Sequence, residues 1–172
     1  MPIALVVEDG TGLVDSNTYT SVANVRLYAS NRGIVLSIDD EVVASQLINA
    51  TDLLETYACR YQGARTNEDQ ALEWPRTDVY LYGILFPDNA IPSQLIAAQS
   101  QLVIAQFNGF VLQPNVSAQD YVIREKVGPI ETEYANPTNV GLMPVFTAAE
   151  ALLAPLFGEC ASNKFAIRTI RV

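Results

Sequence analysis

Acid–base and nucleophilic chemistry near neutrality depends on a few side-chain types, and this chain contains no histidine. Ser-His-Asp and Cys-His arrangements are therefore excluded, and so are the usual zinc sites. Cys59 and Cys160 stand far apart without a CxxC partner, and two cysteines do not make a disulfide scaffold. They read as isolated buried or half-buried thiols of a reducing cytoplasm. The acid pairs Asp39-Asp40 and Glu68-Asp69 could hold a cation or act as general acids, but they stand at a helix start and a turn, where capping accounts for them. Neither GxGxxG nor a phosphate loop occurs. The chain reads as a non-enzyme, with no catalytic, metal or cofactor-binding residue and no cofactor.

What remains is the chemistry of surfaces. Trp74, the only tryptophan, stands in Trp74-Pro75-Arg76 between two polar stretches. As a structural element the indole locks a loop onto helices while Arg76 pairs locally. As an interface element, Trp and Arg are the types most enriched in binding hot spots. Base stacking by Trp74 would call for basic neighbours, and Glu68, Asp69, Glu73 and Asp78 surround it against Arg65 and Arg76. Net charge is −9, from 19 acids and 10 bases, so the chain has no general attraction for phosphate. The charge is unevenly placed: the stretch from 164 to 172 holds Lys164, Arg168 and Arg171 and no acid. Its alternation of Phe165, Ile167 and Ile170 with the arginines suits addition to a partner's sheet edge or insertion into an acidic groove, and a frayed, solvated terminus reads equally well.

The elements that must position these residues follow from periodicity. At 172 residues with 49% apolar and 17% charged side chains, the chain is a folded single domain over 1–172 with a basic tail at about 164–172. The start MPIALVVEDG lacks the basic region of a signal peptide, and no run reaches the ~18 apolar residues of a membrane span. Ile3–Val7 reads as a short strand. Thr20 or Ser21 caps a first helix that runs to about Asn31 and closes at Gly33. Asp39 and Asp40 open a second, in which Val43, Leu47, Ala50, Leu54 and Tyr57 lay one apolar stripe and which ends near Gln62–Gly63.

Val79–Phe86 is an aromatic-rich loop or short strand around Gly83. A third helix runs from Pro92 to about Phe110 without a single charge. It is either a central helix enclosed by its own fold or one packed against neighbouring subunits, its glutamines hydrogen-bonding across the interface. Tyr121–Lys126 and Ile130–Tyr134 alternate as strands of a hairpin through Gly128-Pro129, placing Arg124 or Lys126 opposite Glu131 or Glu133. A last helix spans about Ala148 to Phe157, and 165–172 has strand-like alternation. The fold class is mainly α: a small bundle of about four helices with a β-hairpin and extended termini.

The opening LVVEDGTGLVDSNTYTSVANVRLY, then INATDLLE, QALEWPR, IPSQLIAAQSQL and REKVGPIETEYA in that order, resemble a family of small phage-encoded proteins labelled DnaT-like single-stranded DNA-binding proteins. The resemblance spans nearly the whole chain. The acidic charge speaks against the DNA binding in that label, so the resemblance is read as implying a head–tail connector (adaptor, head-completion) subunit of a tailed bacteriophage. Such a subunit would be made in the host cytoplasm and located in the virion neck, in a ring of copies of itself, commonly twelve. Its partners would be the portal protein and tail or neck proteins, with packaged double-stranded DNA passing unbound and no membrane involved. On this reading Trp74, Arg76, Ala98, Gln101 and Gln106 are subunit-interface residues. Lys126, Gly128, Pro129, Phe165, Ile167, Arg168 and Arg171 contact the portal or tail. The alternative is a single-stranded DNA-binding replication accessory protein.

Overall fold

The structure, a computed structural model, describes residues 3–114, 124–127, 130–133 and 145–158. Among them four α-helices run in chain order: α1 (Val22–Ser30), α2 (Asp40–Glu55), α3 (Ser93–Phe107) and α4 (Thr147–Leu153). Short antiparallel strand pairs accompany them: β1 (Ala64–Arg65) with β2 (Arg76–Thr77), β3 (Tyr80–Leu81) with β4 (Ile84–Leu85), and β5 (Arg124–Val127) with β6 (Ile130–Glu133). This is the small, mainly helical fold with a β-hairpin that the patterning predicts.

The helices form where caps and stripes place them. Ser21 accepts from the Asn24 N–H to start α1, and Asp39 accepts from the Glu41 N–H at 2.9 Å to start α2, whose first turn carries Asp40 and Glu41 against the positive end of the helix dipole. Along α2, Val43, Leu47, Ala50 and Leu54 are fully buried. The helix stops at Glu55, short of the expected Gln62–Gly63. Thr56 turns its hydroxyl back to the Leu53 carbonyl at 2.6 Å, a 3-10 turn follows at Ala58–Arg60, and Tyr61 swings inward to donate to the Leu54 carbonyl at 3.0 Å. A buried ring with its hydroxyl on the helix's own last turn redirects the chain. Gly63 then sits at φ +68°, where a β-carbon would collide with the Thr77 carbonyl oxygen, so the close approach of β1 to β2 requires glycine there.

Helix α3 packs against α1, α2 and α4, which accounts for its lack of charge: it is the central helix of its own fold. Leu95, Ala98, Gln99, Leu102 and Val103 are buried. Gln99 serves as a polar hub. Its Oε1 accepts from the Tyr19 N–H at 3.2 Å, and its Nε2 lies at 2.8 Å from both Thr18 Oγ1 and Thr51 Oγ1 and 3.1 Å from the Leu47 carbonyl. One side chain thus ties α3 to α2 and to the segment that leads into α1.

Other boundaries differ from expectation. Helix α4 ends at Leu153, because Pro155 lacks an N–H and the chain passes into a 3-10 turn at Ala154–Leu156. In the expected strand Ile3–Val7 there is a single parallel bridge, Val7 with Thr18. The loop after it is organised by Glu8, a buried carboxylate accepting from the N–H groups of Gly10, Gly12 and Leu13 and from the Ser16 hydroxyl. Cys59 is in a disulfide, which corrects the expectation of isolated thiols. The register of β5 and β6 sets Arg124 opposite Glu133 and Lys126 opposite Glu131, as the alternation implied. The expected strand at 165–172 lies outside the described residues. No helix of the described residues is long and apolar enough to cross a membrane.

Candidate nucleic-acid interface

The aromatic stretch after Trp74 divides its rings between core and surface. Trp74 is fully buried, edge-on to Tyr61 at 5.7 Å and to Phe86 at 6.4 Å between ring centroids. Arg76 is buried beside it: its Nε donates to the Gln62 carbonyl at 2.7 Å, one terminal nitrogen to the Gly63 carbonyl at 3.0 Å, and the other pairs with the Glu73 carboxylate at 2.6 Å. Both residues act as the loop lock that the sequence allowed, and present almost no surface to a neighbour or a base. Ala98 is likewise fully buried. Gln101, half-buried, donates to the Tyr28 hydroxyl at 3.0 Å, and Gln106 donates to the Gln46 carbonyl at 2.7 Å. The five residues expected at a subunit interface all make contacts inside the subunit.

The exposed rings of this stretch are those of Tyr80 and Tyr82. The β3–β4 hairpin alternates: Val79 and Leu81 point into the core, Tyr80 and Tyr82 outward with 55% and 78% of their surface exposed. The pairing of Tyr80 with Leu85 and Leu81 with Ile84 leaves Tyr82-Gly83 as a two-residue turn with positive φ at both, +53° and +81°. That geometry matches the right-handed twist of a hairpin. A tyrosine in the left-handed region is uncommon, and such strain concentrates where a side chain must be displayed. The Phe86 N–H closes the hairpin on the Val79 carbonyl at 2.8 Å.

An exposed arginine, Arg60, lies toward this end of the molecule. Gln62 accepts from the Tyr80 N–H at 3.2 Å, and its own N–H donates to the Leu156 carbonyl at 3.0 Å. Next to Leu156, Phe157 lies under the Arg60 guanidinium, whose Cζ is 4.0 Å from the ring centroid. Of the other arginines, Arg26 pairs with Asp40 at 2.6 Å, Arg32 lies over Tyr28, and Arg65 donates to the Gln70 carbonyl. Next to the hairpin a cavity of about 280 Å³ is lined by Asp78, Leu85 and Asp88, Leu85 being the cross-strand partner of Tyr80. Among the described side chains the arrangement suits stacking of flat rings on two displayed phenols, with the exposed Arg60 guanidinium for a phosphate.

A protein family described as "Putative DnaT-like ssDNA binding protein" matches residues 3–172. The chain belongs to this family. No curated protein and no solved structure matches it. The finding agrees with the label carried by the resemblance and corrects the function drawn from it. The head–tail connector reading is set aside, because the family that covers the chain is described by single-stranded DNA, the alternative that net charge had made secondary. Net charge weighs phosphate attraction and not stacking, so it does not by itself oppose that description. Of the residues given to a portal or tail contact, Lys126 lies in β5; Gly128, Pro129, Phe165, Ile167, Arg168 and Arg171 lie outside the described residues. Tyr80 and Tyr82 were not singled out from the sequence. The signal that would have found them is the in–out alternation Val79-Tyr80-Leu81-Tyr82 before a glycine turn.

Proposed function

We propose that this chain binds single-stranded DNA by stacking unpaired bases on Tyr80 and Tyr82. The observation that carries the reading is the display of these two rings on a hairpin anchored by buried Val79 and Leu81, with Tyr82 held at positive φ, in a member of a family described by single-stranded DNA binding. Every base has a flat face, so stacking is tolerant of sequence and contributes ~1–3 kcal/mol per base. Arg60, exposed over Phe157, takes one phosphate near the platform.

Fluorescence anisotropy with a labelled oligothymidylate tests it. Wild-type protein should bind, and a Tyr80→Ala/Tyr82→Ala variant should lose ~10-fold or more in affinity while keeping its helical circular dichroism, since both rings are exposed. Equal affinity of the two proteins, or no binding by wild type at low salt, would remove the proposal.

A further inference from the structure

We propose that the cavity between α2 and the chain leaving α3 seats a guanine base of single-stranded DNA; this rests on the single-strand reading above and adds a sequence preference to it. The cavity has a volume of about 520 Å³, within the ~300–1,000 Å³ range of small-ligand sites, and its walls include Gln46, Asn49, Asp52, Gln106, Phe110 and Gln113. Gln46, Asn49 and Asp52 follow one another at three-residue spacing along one face of α2. Gln106 of α3 braces them: its Nε2 donates to the Gln46 carbonyl at 2.7 Å, and its Oε1 accepts from Asn49 Nδ2 at 3.3 Å. Asn49 and Gln106 therefore hold each other. The exposed Asp52 carboxylate and the exposed Gln113 amide are left to face an occupant. Gln46 Oε1 is buried without a hydrogen-bond partner.

The lining selects chemistry. It contains a carboxylate and no lysine or arginine, so a phosphate would be repelled and a neutral group rich in N–H donors favoured. Among the bases, guanine alone presents two adjacent donors, N1–H and the N2 amine, which match the two oxygens of a carboxylate. Adenine and cytosine each set one exocyclic amine beside a ring nitrogen whose lone pair opposes Asp52. Thymine has a single N–H between two carbonyls. Phe110, 61% exposed at the cavity wall, supplies a face for the ring to stack on.

The test is titration of the full chain with guanosine, inosine, adenosine, cytidine and thymidine, followed by NMR of the side-chain amides and the Phe110 ring. Guanosine should bind best and inosine, which lacks the N2 amine, about tenfold more weakly. Asp52→Asn, an exposed change, should abolish that gap. Equal binding of all five nucleosides, or an unchanged guanosine–inosine gap in Asp52→Asn, overturns the proposal. A second arm uses oligothymidylate with and without one central guanine. Oligomer binding with no preference for the guanine sinks the pocket and leaves the single-strand reading standing. Guanosine binding without any oligomer binding supports the pocket and sinks the single-strand reading.

Discussion

The Tyr19 hydroxyl donates to Glu55 Oε1 at 2.5 Å, across 36 residues of chain. The same carboxylate accepts the Glu73 N–H at 2.8 Å through its other oxygen, and Tyr19 Oη accepts the Trp74 N–H at 3.3 Å. Three segments therefore meet at one acid: the stretch leading to α1, the end of α2, and the loop that locks Trp74 under the displayed hairpin. Burial pushes the Glu55 carboxyl up to about 7 from the usual 4.5; the hydrogen bonds from Tyr19 and Glu73 and the charge of Arg65 pull the other way, while the Glu73 charge adds to the rise. Tyr19 itself is raised well above the ordinary tyrosine range, by burial first and by Glu55 next.

A pH dependence of stability follows. Between about 4.5 and 7 the folded chain holds a proton on Glu55 that the unfolded chain has released, so stability falls as pH rises through that window and is flat with respect to this group above and below it. The full drop is about 3 kcal/mol. Urea melts at pH 4.5, 6 and 7.5 should show this slope in wild type and a much smaller one in Glu55→Gln. Parallel slopes in the two proteins would place the titration elsewhere.

Gln99 is the other polar point on which the helices depend. In Gln99→Leu, similar in volume, the Tyr19 N–H loses its acceptor and stays buried, whereas Thr18 and Thr51 keep their bonds to the carbonyls of Thr20 and Leu47. An orphaned buried donor costs ~1–3 kcal/mol. The melting temperature should fall by roughly 3–8 °C. An unchanged melt would show that water replaces the amide.

How much of this was legible in the chain depends on range. The stripe Val43, Leu47, Ala50, Leu54 and the caps at Ser21 and Asp39 are local signals, and the helices they announce are present. The end of α2 was not legible, because Tyr61 turns inward for a partner on the last turn and no periodicity encodes that. The third helix read two ways for the same reason: absence of charge says that a helix is enclosed, not by what. Glu55 was not singled out from the sequence, because its role depends on Tyr19 and Glu73, distant along the chain. Trp74 drew attention by its type; the rings left outside are decided by the alternation in β3.

If stacking leads binding, salt should matter little. Single-strand affinity falls with log salt at a slope of about −0.7 per phosphate neutralised, so Arg60 alone gives a slope shallower than about −1. Raising salt also screens the repulsion from a chain of net charge −9, which flattens the slope further. Anisotropy titrations from low to moderate salt measure it. A slope of several units would show that a basic segment carries the binding, for which the sequence holds Lys164, Arg168 and Arg171, and would demote the tyrosine platform.

The strain at Tyr82 gives the sharpest separation of stability from function. Its φ of +53° puts a bulky side chain in the left-handed region, at a cost of ~1–2 kcal/mol, and the ring is exposed and so gains little packing in return. Asparagine tolerates that backbone and keeps the turn with Gly83. Tyr82→Asn should therefore stabilise the fold by about 1 kcal/mol, raising the melting temperature by roughly 2–5 °C, while weakening oligothymidylate binding by about 1 kcal/mol or more. A residue kept in strain because it is displayed to a ligand gives opposite signs in the two assays. A loss of stability in Tyr82→Asn would mean that the ring is packed, and an unchanged affinity would mean that the bases stack elsewhere.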